Sequence, residues 1–158
     1  MVSFHLNAGD YFCGLRNTTF VSGEILTFKV FYTLGIYVSA GEAIFNVNLE
    51  RMNNKPVYHI TADGKTFSFY DSFFKVRDKY ESFIDTATLQ PLKFIRNVYE
   101  GGYKKYENVS FNQTTNTAVS TEGTIKVPNC IKDVLSSFYY ARNMDVNNDK
   151  LDDKIPVD

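Results

Sequence analysis

The stretch Glu42-Ala43-Ile44-Phe45-Asn46-Val47-Asn48-Leu49-Glu50 decides the fold class. Ala43, Phe45, Val47 and Leu49 fall on one side of an extended chain, and Glu42, Asn46, Asn48 and Glu50 fall on the other. Side chains alternate across a strand with period two, so this stretch makes an antiparallel strand with one buried face and one wetted face. The alternation extends from Ser22 to about Phe111. Upstream, Gly23 opens a strand in which Leu26, Phe28, Val30 and Tyr32 share a face, and Gly35 and Gly41 punctuate the turn region that follows. Downstream, Asn53-Asn54-Lys55-Pro56 is a turn signal, Val57 to Thr61 is a third strand, and Asp63-Gly64 ends it. Strands are expected again at about Val76 to Ile84, Leu92 to Tyr99 and Tyr103 to Phe111. Thr86 to Gln90 reads as a turn, with Pro91 at the edge of the next strand, and Glu100-Gly101-Gly102 reads as a tight hairpin. Gln113 to Asn116 forms another turn before a weaker polar pair near Ala118 and Ile125.

Two segments depart from this pattern. Phe67 to Phe74 is aromatic-dense and aperiodic, which predicts a short helical turn or a plug on the concave side of the sheet. Ile131, Val134, Leu135, Phe138, Tyr139 and Arg142 follow helical spacing and predict a helix of about three turns. Asn129 is placed to cap its start, Asp133 lies in the first turns where the dipole favours an acid, and Asn143 is placed to end it. The reading is a mainly β protein: a strongly curved antiparallel sheet, or an open or incomplete β-barrel, with one main helix packed on its concave side. At 158 residues it fits one domain spanning 1–158. That length buries a core without needing metal or many disulfides.

Composition narrows the function classes. The 14 Phe and 11 Tyr favour pleated strands and rule out a solvated, disordered chain. With 17 basic and 18 acidic residues, no global field draws the chain to nucleic acid or to an anionic membrane. Apolar runs are far shorter than the roughly 18 to 20 residues of a transmembrane helix. Met1 to Asn7 lacks the basic start and long apolar stretch of a signal peptide. Cys13 and Cys130 are too far apart for a CxxC motif, and composition leaves free thiols and a disulfide both open.

No catalytic constellation emerges. His5 and His59 have no partnering histidine and no HExxH, and there is no GxSxG elbow, P-loop or GxGxxG. Asp78 with Glu81, and Glu100 with Glu107, read as members of solvated cross-strand ion pairs rather than an acid–base pair. Asp145, Asn147 and Asp149 alternate as oxygen ligands of a calcium loop do, a weak metal candidate. Lys150 replaces the turn glycine and Pro156 the closing glutamate, which excludes a complete EF-hand. Lys93, Arg96, Lys104 and Lys105 alternate with Tyr99, Tyr103 and Tyr106, but Glu100 and Glu107 in the same hairpin offset a nucleic-acid stripe. No cofactor is expected. The aromatic cluster Phe67, Phe69, Tyr70, Phe73 and Phe74 reads first as core filling. Its functional reading is a pocket for an apolar small molecule or lipid, with Phe69, Phe73 and Phe74 on one side and Leu135, Phe138 and Tyr139 on the other.

Several stretches together resemble an uncharacterised family of exported proteins of Gram-negative bacteria, domain of unknown function 3108. They are Phe20-Val21-Ser22-Gly23-Glu24, Tyr37-Val38-Ser39-Ala40-Gly41, Phe73-Phe74-Lys75-Val76-Arg77-Asp78, Tyr80-Glu81-Ser82-Phe83-Ile84-Asp85, Glu100-Gly101-Gly102-Tyr103 and Asp133 through Arg142. The resemblance implies an exported protein of the periplasm or outer envelope, without assigned catalytic residues. It implies an oxidising compartment, and hence a disulfide between Cys13 and Cys130. It further implies that closing strands normally follow Asp152-Asp153-Lys154-Ile155-Pro156, so the sheet is expected to keep an open edge. The leading expectation is a non-enzymatic envelope protein that binds an apolar or amphipathic ligand. The rivals are an interaction or scaffold module that pairs its edge with an envelope protein or with itself, and a carbohydrate-active enzyme.

Overall fold

The computed structural model describes residues 13–33 and 37–144. Asp145, Asn147 and Asp149, and the strand start expected at Ile155, lie outside the described residues.

Eight strands form one antiparallel sheet in the order of the sequence. They are β1 Ile25–Thr33, β2 Tyr37–Met52, β3 Lys55–Thr66, β4 Val76–Asp85, β5 Pro91–Glu100, β6 Tyr103–Asn112, β7 Thr117–Ser120 and β8 Gly123–Lys126. A four-residue helix, α1 Ser68–Asp71, links β3 to β4, and α2 Val134–Ala141 follows the sheet. The sheet is open, because β1 pairs with β2 alone and β8 with β7 alone. The expected mainly β, unclosed architecture is therefore what forms.

The turns follow their residues. Asn53 and Asn54 both take positive φ, the geometry of a two-residue hairpin whose twist matches its strands. Gly101 and Gly102 do the same between β5 and β6. Asp85 holds the β4–β5 turn by accepting from the backbone of Ala87 at 2.8 Å and Thr88 at 3.0 Å.

Three expectations are corrected. Gly41 does not mark a turn but lies within β2, opposite Thr66, where a Cβ would run into the carbonyl oxygen of Lys65. Asp63-Gly64 does not end the third strand, since Asp63 pairs with Ile44 and Lys79 and the strand runs on to Thr66. The helix is eight residues long, about two turns, and is capped by Asp133 rather than Asn129. Asp133 accepts from the backbone N–H groups of Leu135 and Ser136 while Ser136 Oγ accepts from the Asp133 N–H, a reciprocal capping box. Asn143 does serve the far end, its Nδ2 donating to the Tyr139 carbonyl at 2.9 Å.

Cross-strand partners share a face, so the register sorts every strand residue. Val47, Ile60 and Ser82 form one row, and Phe45, Ala62 and Tyr80 the next. α2 covers this face: Leu135 and Tyr139 join Phe20, Val47, Ile60, Ala62, Ile84 and Leu89 in the core. The buried polar pair beneath the helix is satisfied, with Ser82 Oγ donating to the Asp133 carboxylate at 2.6 Å. Burial pushes the Asp133 carboxyl up, and the bonds from Ser82, Ser136 and Leu135 pull it back.

The segment before β1 straps the helix down. Cys13 and Cys130 form a disulfide, with Cα atoms 5.2 Å apart. Phe20 packs edge-on to Tyr139 at 4.8 Å and to Tyr58 at 5.0 Å. Arg142 donates to both carboxylate oxygens of Glu24, at 2.6 and 2.9 Å.

Candidate functional site

The six residues expected to line an apolar pocket divide into two groups. Leu135 and Tyr139 are 3% and 1% exposed in the core, and Phe138 lies against Phe45 at 5.4 Å. Phe69, Phe73 and Phe74 are 72%, 77% and 56% exposed. Phe69 meets Tyr70 and Phe73, and no ring contact among the described residues joins this group to Phe138 or Tyr139. The reason is topological. α1 sits where β3 and β4 stop, beyond the last paired rows, whereas α2 packs at mid-sheet. The aromatic segment is a short helical turn, as its aperiodicity suggested, but its phenylalanines stand at the end of the sheet instead of filling it.

The free side of β1 is the longest unpaired strand edge among the described residues. Among the described residues nothing pairs with it there, and eight of its nine residues are exposed. Phe28, Val30 and Phe31 are 43%, 52% and 52% exposed. On the helix-covered face Leu26 and Phe28 run beside Phe45 and Ala43, and Phe28 touches Phe45 at 5.4 Å and Phe138 at 6.3 Å. On the other face stand Ile25, Thr27 and Lys29. Lys29 forms no ion pair among the described residues. Such an edge presents a row of backbone donors and acceptors flanked by alternating side chains, which suits addition of another strand.

Glu81 pairs with Lys79, and Glu107 with Arg96 and Lys105, the ion pairing that the sequence reading expected. Register places Asp78 and Glu81 on opposite faces, and puts Glu107 across from Arg96 rather than beside Glu100. Glu107 lies in ion-pair contact with Arg96 Nε at 2.6 Å and with Lys105 Nζ at 2.5 Å, and these cations hold its carboxyl below the usual range. Asp78 interacts instead with Glu100; burial first, then the Glu100 charge, raises its carboxyl against a bond from the Tyr99 N–H. His59 is half-buried on the face opposite α2. Its Nδ1 lies 2.8 Å from Glu50 and its Nε2 2.9 Å from Glu81, with the ring stacked on Phe83 at 4.2 Å. Sequence reasoning missed this bridge because Glu50 and Glu81 reach His59 diagonally from two strands. Lys93 and Lys104 share that face, whereas Arg96 and Lys105 lie on the other, so the four cations form no single stripe.

A shallow groove of about 390 Å³ runs beside this surface, lined by Asp63, Lys65, Arg77, Lys79, Asn97 and Tyr99 among others. Among the described residues, no three His, Cys, Asp or Glu side chains converge as metal ligands. No helix among them is long and apolar enough to cross a membrane.

No curated protein and no solved structure matches the chain. A family model does match, over residues 27–157, from the third residue of β1 through α2 and beyond. The chain thus belongs to the family described as protein of unknown function, DUF3108.

Proposed function

We propose that this domain is a non-catalytic interaction module of the bacterial cell envelope, which accepts an extended segment of another envelope protein along β1. The observation that carries the reading is the nine-residue edge strand with its open hydrogen-bonding side and exposed Phe28 and Val30. The Cys13–Cys130 disulfide supports an exported, oxidising location. The packed interface of Leu135 and Tyr139 with the sheet favours edge pairing over an apolar cavity beneath α2. The fitting segment is one that alternates, with an apolar residue beside Phe28 and an acid beside Lys29.

Peptide selection followed by amide hydrogen exchange tests this. Selected peptides are expected to be extended, and binding is expected to slow exchange at Ile25 to Val30 more than anywhere else. A lysine at Val30 is expected to weaken binding, because it places a charge in the added strand's apolar row. Peptides that protect a different surface, or β1 amides already fully protected in the unliganded chain, refute the reading.

A further inference from the structure

β2 runs on past the start of β1: Ile25 pairs with Asn46, and β2 continues to Met52 before turning at Asn53-Asn54 into β3. The outer side of this arm is held only near its base. The Gly23 N–H donates to the Val47 carbonyl at 2.7 Å, and the Leu49 N–H donates to Ser22 Oγ at 2.9 Å. Beyond Leu49, among the described residues, no strand pairs with that side. His59 lies at the inner side of the arm, on the face opposite α2, with its side chain 15% exposed. Glu50 reaches it from β2 and Glu81 from β4, so that Nδ1 and Nε2 stand 2.8 and 2.9 Å from carboxylate oxygens. Phe83 on β4 stacks on the imidazole within 7° of parallel. Other charges surround the group. Lys79 lies 3.5 Å from the second oxygen of Glu81, and Lys93 on β5 stands over the Phe83 ring at 5.9 Å. At the hairpin, Arg51 donates to the Asn54 carbonyl at 3.3 Å, and Asp85, paired with Val57, accepts from Ala87 and Thr88 in its own turn. Lys55 forms no ion pair among the described residues.

We propose that Glu50, His59 and Glu81 form a proton-dependent clasp that holds the β2–β3 hairpin to β4. A neutral imidazole carries one N–H and one lone pair, whereas the imidazolium carries two N–H groups. Between two ionised carboxylates, either neutral tautomer donates to one and turns its lone pair on the other. The doubly protonated ring satisfies both contacts, and three strands are then tied through one side chain. When the second ring proton leaves, one carboxylate is released. Glu50 is the one that lets go, because its side chain is 45% exposed against 21% for Glu81, and Lys79 holds Glu81 from its other side. The Phe83 stack keeps the ring in place, so the change falls on β2. Release of Glu50 loosens the arm that has no strand beyond it, and the end of the hairpin opens. The device responds to the proton activity of the surrounding compartment, and it is independent of what pairs with β1.

NMR of the histidine ring nitrogens in the full chain across a pH series, with amide hydrogen exchange at each pH, tests this. His59→Gln assigns the ring signals against His5, the other histidine. Both His59 nitrogens are expected to carry protons while the clasp is closed. As one proton leaves, protection of the hairpin amides between Glu50 and Val57, corrected for the intrinsic pH dependence of exchange, should fall on the order of tenfold. The β4–β5 pairs should keep theirs. Glu50→Gln is the discriminating variant. A side-chain amide donates to a ring lone pair or accepts from a ring N–H, so it suits either state of the ring. In that variant the fall in protection should vanish. Hairpin protection that ignores the His59 proton overturns the proposal, as does a singly protonated ring in a fully protected hairpin. An equal fall in Glu50→Gln also overturns it and assigns the pH response to another group.

Discussion

Asp133 shows how much one side chain can hold. It caps α2, accepts from two backbone N–H groups, and takes the Ser82 hydroxyl beneath the helix while 7% exposed. Asp133→Ala leaves the first helical turn uncapped and the Ser82 hydroxyl buried without its acceptor. A loss of about 2 to 4 kcal/mol follows from those two terms, measurable by urea unfolding. Ser82→Ala removes only the donor and should cost about 1 kcal/mol, so equal losses from both would show that the cap contributes little. Glu24 gives a pH-dependent case. The hydrogen-bonded guanidinium of Arg142 is the main influence on its carboxyl and holds it below the ordinary 4.5, with burial opposing. A depressed folded value means the pair stabilises the fold above the ordinary glutamate range and ceases to do so as pH falls through the folded value. The stability gap between the parent and Glu24→Gln should be flat at neutral pH and shrink as pH drops below about 4.5. A gap that widens on acidification would show that Glu24 is not held by Arg142.

Among the elements, the strands were legible wherever one face is wet. The alternation through Ala43 to Leu49 gave the correct face for that strand, and the helical spacing of Val134, Leu135, Phe138 and Tyr139 gave α2. Boundaries were less legible because glycine has two uses. Gly101 and Gly102 turn the chain with positive φ, while Gly41 allows close approach of the Lys65 carbonyl inside a strand, and sequence shows the same residue for both. The candidate site was legible only in part. The aromatic run at 67–74 and the exposed edge could be read, but which end of the sheet the run occupies depends on strand pairing. Leu89 is the opposite failure, a residue in a polar turn that takes φ 54° and buries itself to 1% exposure. A leucine among Thr86, Thr88 and Gln90 gives no periodic signal. Leu89→Ala empties a core position and should cost about 2 to 5 kcal/mol, a turn substitution with a core penalty. A loss under about 0.5 kcal/mol would mean the turn does not seal that end of the core.

At the scale of the whole molecule, sheet and helix are joined in two ways. Adjacent strands pair in sequence order, so most contacts are between neighbours and each hairpin supports the next. The helix has no such neighbour. It is held against the sheet by Leu135 and Tyr139, by the segment carrying Phe20 and Glu24, and by the Cys13–Cys130 bridge across 117 residues. A bridge over so long a loop restricts the unfolded chain more than it alters the folded one. The chain-entropy model assigns a loop of this size roughly 4 to 5 kcal/mol. For a domain of this size each kcal/mol shifts the melting midpoint by about 2 to 4 °C, so Cys13→Ser with Cys130→Ser should lower it by roughly 10 to 20 °C. The unevenness of the loss is the sharper test. Hydrogen exchange in the double variant should quicken most in α2 and in residues 14–24, which the bridge ties together. The central β3–β4 and β4–β5 pairs, whose bonds are local in the chain, should be least affected. Uniform acceleration would mean that the strap and the sheet unfold as one unit. An unchanged midpoint in a reductant-free buffer would mean that the bridge is not formed in solution, and with it would go the support it gives to an exported location.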